Sequence, residues 1–93
     1  MTNKAIIRRL NRAKNAATSA LKDTKHEIIP SDNSKFCIIG MRKKEIRMIR
    51  VVVDEITAND IKIIEDIDSP VSCTKEIWCR KKGKQKFEIK EID

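Results

Sequence analysis

Isoleucine dominates the apolar residues of this chain, with sixteen isoleucines and only two leucines among 93 residues. Isoleucine is stiff at χ1 and packs well on a pleated sheet, so this bias favours strands. Apolar residues make up 40% of the chain, which is enough for a folded core. The length is that of one domain, and we therefore expect a single domain over residues 1–93 with substantial strand content.

The first predicted element is a helix over residues 3–22, with Thr2 as its expected N-cap. Apolar residues recur there at steps of three and four, which places them on one face of a helix. That inner stripe comprises Ile6, Leu10, Ala13, Ala17 and Leu21, widened by Ile7 and Ala20. The opposite face is basic and polar and comprises Lys4, Arg8, Arg12, Asn15, Ser19 and Lys22.

Five predicted strands and a second helix follow. Strands are expected over residues 26–29, 35–41 and 45–53, the last ending in three valines typical of a central strand buried on both faces. Thr57 should cap a helix whose inner stripe is Ile61, Ile64 and Ile67, and a Ser-Pro pair ends it. Strands over 74–80, containing Trp78 as a core residue, and 87–92 complete the chain. The order α-β-β-β-α-β-β predicts an α/β fold with a central mixed sheet flanked by helices.

Charge is distributed in blocks, and the net charge is +7. Residues 1–22 hold six basic residues and no acid, 42–50 hold five basic residues and one acid, and 71–93 are again net basic. Basic blocks that share one side would form a surface for phosphates, so we expect nucleic acid, DNA in the first place, as the partner. The candidate binding residues are Lys4, Arg8, Arg12, Arg42, Lys43, Lys44, Arg47, Arg50, Lys81, Lys82, Lys84 and Lys86.

The sequence gives little support for other kinds of functional site. Three cysteines do not make a disulfide framework, and with a single histidine they make an improbable metal site. His26 beside Glu27 is expected to be a surface pair, and no glycine-rich phosphate loop is present. We expect no cofactor, no membrane span, no secretory segment and therefore a cytoplasmic protein. The acidic residues of 54–55 and 65–68 could hold Mg²⁺, but a solvated acidic surface explains them more simply.

Two segments resemble a known superfamily. The strand Lys35–Gly40, the basic turn after it and the strand Glu45–Val52 look like the core hairpin of the PD-(D/E)xK, or restriction-endonuclease-like, nucleases. The tail from Lys75 to Ile89 resembles the end of small stand-alone members akin to archaeal Holliday-junction resolvases. The resemblance implies a restriction-endonuclease-like fold over nearly the whole chain.

The resemblance also implies where catalytic residues would stand. The family places an Asp early in the hairpin and Glu or Gln, one residue, and Lys on the next strand, to hold Mg²⁺ and orient a water. These positions fall on Cys37, Arg50 and Val52, none of which can do that work. The expected function is therefore a nucleic-acid-binding, nuclease-like domain without catalysis, acting as a monomer or a homodimer.

Two alternatives stay open at this point. The first is an active metal-dependent endonuclease with relocated carboxylates, drawn from Glu27, Asp32, Asp54 and Glu55. The second is a subunit that binds another protein through its acidic second helix.

Overall fold

The computed structural model describes residues 4–31, 35–68, 72–84 and 86–92. The elements are α1 (Lys4–Asp23), β1 (Glu27–Pro30), β2 (Ile38–Arg42), β3 (Glu45–Val53), α2 (Ala58–Glu65), β4 (Cys73–Arg80) and β5 (Phe87–Ile92). The five strands form one sheet in the order β1-β2-β3-β4-β5, in which β3 and β4 are parallel and the other neighbours are antiparallel. The α/β class, the mixed sheet and the element order agree with the sequence analysis.

Helix α1 packs closely on one face of the sheet because its inner residues are small. Ala13, Ala17 and Leu21 are completely buried, and they meet Ile49 and Val51 of β3. A glycine lies beneath the end of the helix, where a Cβ on Gly40 would stand 3.3 Å from a methyl group of Leu21. All six residues predicted for the outer face are exposed.

The end of α1 has the geometry of a Schellman motif. His26 N donates to Leu21 O at 3.0 Å, Lys25 N donates to Lys22 O at 2.9 Å, and Lys25 has a φ of 63°. The left-handed residue of this motif is usually glycine, because other side chains are strained there. The chain therefore ends a helix with a lysine in a conformation that lysine rarely adopts.

Helix α2 crosses between the parallel strands on the opposite face. Thr57 and Asp60 form a complete capping box, as the sequence suggested for its N-terminus. Ile64 is completely buried against Ile77 and Ile92, while Ile61 and Ile67 pack at the margin of that cluster. At the other end of the helix, the buried Lys75 donates to the carbonyl oxygens of Glu65 and Ile67, both at 3.1 Å. These contacts satisfy carbonyl groups that a helix end leaves unpaired.

Several predicted boundaries and core residues differ from the structure. Strand β2 begins at Ile38 and not at residue 35, and β1 includes Pro30. Ile6 is 50% exposed and Ile7 is 42% exposed, so the apolar stripe of α1 begins to be covered only at Leu10. Trp78 is 4% exposed and belongs to the core. The predicted cap Thr2 lies outside the described residues, and none of the described helices is long and apolar enough to cross a membrane.

Candidate nucleic-acid interface

Two of the three basic blocks meet at one end of the sheet. Because β3 and β4 are parallel, they end side by side at Val53 and Arg80. The turn after β4 lies at the same end of the sheet. The first half of α1 passes above this end of the sheet. Together they enclose an open cleft of about 330 Å³. Its cationic side chains, which we call the basic cleft, are Arg9, Arg12, Arg80, Lys81, Lys82 and Lys84.

The lysines of the basic cleft sit on a tight turn. Lys84 N donates to Lys81 O at 3.0 Å, and Gly83 between them has a φ of 78°. A positive φ at the third position is the requirement of a type II turn, and glycine meets it without strain. Arg80 Nε donates to the carbonyl oxygen of Lys84 at 3.3 Å, which ties the turn to the end of β4. Lysines 81, 82 and 84 are all exposed.

One arginine of the basic cleft already forms an ion pair with a carboxylate. Arg9 contacts both carboxylate oxygens of Asp54, with Nη1 3.1 Å from Oδ2. The hydrogen bond from Arg9 is the main reason why the pKa of Asp54 is lowered, and the charge of Lys82 acts in the same direction. The paired geometry shows that Arg9 presents its guanidinium as a fork to an oxyanion, which is how arginine binds phosphate.

The third basic block lies at the opposite end of the sheet. The turn of Lys43 and Lys44 joins β2 to the start of β3, and the nine residues of β3 separate it from the basic cleft by roughly 27 Å. Arg42 Nη1 donates to the carbonyl oxygen of Thr24 at 3.1 Å. Lys25, Arg42 and Lys43 line a separate open groove there. The structure therefore does not place the three basic blocks on one surface.

The remaining candidates divide into exposed and engaged side chains. Lys4 and Arg8 are exposed on α1, and Lys86 is exposed just beyond the basic cleft. Arg47 is held by Glu76, with Nε 2.7 Å from Oε2, and its guanidinium lies 5.3 Å from the centre of the Trp78 ring. Arg50 Nε is 3.1 Å from Asp60 Oδ1, and its Nη1 donates to the carbonyl oxygen of Lys35. Arg47 and Arg50 serve the packing of the sheet in this structure.

The three positions that the sequence resemblance singled out line one groove. Cys37, Arg50 and Val52 line one open groove of about 820 Å³, which adjoins the basic cleft at Val53. The carboxylates of this groove are Asp54, Glu55 and Asp60. Asp54 is paired with Arg9, and Asp60 is paired with Arg50 and accepts hydrogen bonds from the capping Thr57.

No cluster of three metal-ligating side chains occurs within the described part of the chain. Of the carboxylates considered for a relocated site, Glu27 starts β1 and lines the groove at the opposite end, beside Lys25, while Asp32 lies outside the described residues. The geometry of the groove therefore offers Asp54 and Glu55 as its only neighbouring acidic pair among described residues, and one of them is already bound by a guanidinium.

His26 is not the surface partner of Glu27 that the sequence suggested. Its side chain is 3% exposed and its Nδ1 lies 2.7 Å from Thr24 Oγ1, whereas Glu27 is exposed. The cysteines at 37, 73 and 79 are all free thiols. Burial raises the pKa of the Cys73 and Cys79 thiols, which lowers their reactivity.

Comparison with family models, with curated proteins and with solved structures found no match. The site must therefore be judged on its own geometry. That geometry adds Arg9 and Arg80 to the residues selected from the sequence. Arg9 belongs to the first basic block, and Arg80 immediately precedes the turn of residues 81–84, which we call the lysine turn. The charge pattern could therefore have identified both arginines.

Proposed function

We propose that this protein binds nucleic acid through the basic cleft, as a nuclease-like domain that lacks catalysis. The observation that carries the proposal is the meeting of six cationic side chains from α1, β4 and the turn after it in one open cleft. A cleft lined by one sign of charge concentrates its field and attracts a polyanion. Arg12, Lys82 and Lys84 are exposed in this cleft. By contrast, Arg9 would have to leave the carboxylate of Asp54 to bind a phosphate.

The nuclease-like part of the proposal rests on the sequence resemblance and on the larger groove. Cys37, Arg50 and Val52 line that groove, and they replace the Asp, the Glu or Gln, and the Lys of the family motif. The guanidinium of Arg50 repels a metal ion. The thiol of Cys37 is a poor ligand for Mg²⁺, and Val52 has no polar group that could orient a water. The groove then guides or accommodates the nucleic acid beside the basic cleft.

The test compares two variants of identical net charge. Arg12→Glu with Lys82→Glu reverses two charges of the basic cleft, while Lys43→Glu with Lys44→Glu reverses two at the opposite end. Each pair lowers the net charge from +7 by four, to +3. Binding to a fluorescent DNA duplex and to its single strand is measured by anisotropy between 50 and 200 mM salt, with circular dichroism as the check on folding.

The cleft variant should lose about two units of the log–log salt slope on duplex DNA, because each neutralised phosphate contributes about 0.9. Its affinity should fall at least tenfold at 50 mM salt, and the opposite-end variant should stay within about threefold of the unmodified protein. Equal losses in the two folded variants would show that no particular cleft is used. An unmodified protein that fails to bind either DNA near 50 mM salt would refute nucleic-acid binding itself.

A further inference from the structure

The two edges of the sheet differ in how well they are protected from pairing. Edge strand β1 has only four residues and ends in Pro30, which has no N–H to donate. Edge strand β5 has six residues, contains no proline, and pairs with β4 alone among the described strands. Ile89 in the middle of β5 is 50% exposed. Strand β5 is thus a long, regular edge with an exposed apolar side chain at its centre.

An apolar groove runs beside this edge on the face that carries α1. Ile89 is the register partner of the buried Trp78, and the Phe87 ring contacts Trp78 at a tilt of 52° with ring centres 5.3 Å apart. Together with Ala16 and Ala20 of α1, and with Lys86 at one end, they line an open groove of about 390 Å³. Helix α1 packs mainly on β1 and β3, and on this face of the sheet Ile89 of β5 remains half exposed.

The charges in the middle of β5 favour one way in which the full length of the strand could pair with a copy of itself. A two-fold axis perpendicular to the sheet pairs β5 antiparallel to its copy and keeps each side chain on its own face. With the axis at Ile89, Glu88 stands opposite the copy's Lys90, and Lys90 stands opposite its Glu88. Within its own chain, the carboxylate of Glu88 also lies 3.5 Å from Lys81 Nζ, on an exposed pair that a second cation can share. A two-fold axis at Glu88, Lys90 or Glu91 would instead place that residue directly opposite its own copy. Two like charges would then face each other, which is destabilising.

We propose that the protein forms a two-fold dimer through antiparallel pairing of β5 with the β5 of a second copy, centred on Ile89. The sheet then continues through ten strands, the two Ile89 side chains meet on the α1 face, and two Glu–Lys pairs form on the α2 face. Both α1 helices lie on the same side of the continuous sheet. The proposal does not depend on nucleic-acid binding.

The dimer should be weak, because one strand edge is a small interface. Stable protein–protein interfaces bury about 1,200–2,000 Å², and a six-residue strand pair falls below that range. We expect a dissociation constant on the order of micromolar or weaker. Self-association should therefore appear only as the protein concentration is raised.

The test uses sedimentation of the full chain between about 1 and 300 μM. Lys90→Glu places two Glu–Glu pairs at the axis, and Glu88→Lys places two Lys–Lys pairs there, so each variant alone should be at least tenfold weaker in self-association. Lys62→Glu on the exposed surface of α2 has the same net charge as Lys90→Glu and should dimerise like the unmodified protein.

Mixing the two variants distinguishes this register from general charge effects. A chain with Glu88→Lys and a chain with Lys90→Glu form two opposite-charge pairs with each other, so an equimolar mixture should recover the dimer that neither forms alone. A mixture that stays monomeric, single variants that still dimerise, or an unmodified protein that is monomeric at 300 μM would each overturn the proposal. Circular dichroism of each variant shows that a lost dimer is not a lost fold.

Discussion

The carboxylate of Glu76 has three hydrogen-bond donors on the α1 face of the sheet, although its side chain is only 6% exposed. Thr74 Oγ1 donates to Oε2 at 2.8 Å, Trp78 Nε1 donates to Oε1 at 3.0 Å, and the guanidinium of Arg47 forms an ion pair with it. The charge pattern assigned Arg47 to nucleic acid because it lies in a basic block. Its partner Glu76 is 29 residues away in the sequence. Only the parallel register of β3 and β4 brings the two together, and no local spacing reveals it.

Removing this charge should destabilise the protein. Glu76→Gln leaves Arg47 without its counter-charge in a partly buried site, and breaking such a pair costs about 3 kcal/mol. Urea unfolding of Glu76→Gln and of Glu65→Gln, an exposed glutamate on α2 at the opposite face of the sheet, measures the difference. A loss below about 0.5 kcal/mol would mean that the cluster contributes little beyond packing.

The same carboxylate makes part of the stability pH-dependent. Burial by itself would raise the pKa of Glu76, but the donors Arg47, Trp78 and Thr74 outweigh it, and the pKa is lowered from 4.5. A lowered pKa in the folded state means that the stabilisation is complete above the pKa of the unfolded chain and is lost as the pH falls through the folded value. The stability gap between the unmodified protein and Glu76→Gln should therefore narrow between pH 7 and pH 3. A constant gap would contradict this account.

At the scale of the elements, sequence periodicity predicted all seven helices and strands. Their ends depend on tertiary contacts, which periodicity does not reveal. Residues 35–37 read as strand because Phe36 and Cys37 are apolar, yet the ladder with β3 starts at Ile38. Ile6 read as core, yet it lies beyond the part of α1 that the sheet covers. The Schellman end of α1 was not foreseen, because Lys25 occupies the place where glycine is expected.

The end of α1 offers a substitution that should stabilise the protein. Lys25→Gly removes the strain of a left-handed lysine at φ 63°, and should raise the free energy of unfolding by about 0.5–1 kcal/mol after the added freedom of the unfolded chain is counted. Lys22→Gly, within the last turn of the same helix, should lower it by about 1 kcal/mol. Thermal unfolding of both variants provides the comparison, and a destabilised Lys25→Gly would show that the lysine side chain makes a compensating contact.

At the scale of the whole molecule, topology decides which charges act together. A strand, a crossover helix and a second strand imply parallel neighbours, so the turn before β3 and the turn after β4 must lie at opposite ends of the sheet. That consequence was available from the predicted element order, and it separates Arg42–Lys44 from the lysine turn. The approach of α1 to the lysine turn was not available, because periodicity gives the buried face of a helix but not its direction across the sheet.

The larger groove beside the basic cleft leads to the last prediction, that the protein does not cleave nucleic acid with Mg²⁺ or Mn²⁺. Two of its three carboxylates, Asp54 and Asp60, already pair with Arg9 and Arg50, so a metal ion would have to displace a guanidinium from each. Val52, which lines the same groove, has no polar group that could orient an attacking water. Supercoiled plasmid and labelled RNA, incubated with the purified protein and each metal, should remain intact under conditions where the DNA is bound. Metal-dependent nicking that disappears in Asp54→Ala or Glu55→Ala would instead establish a relocated nuclease site, whereas nicking that both variants retain would come from a contaminating enzyme.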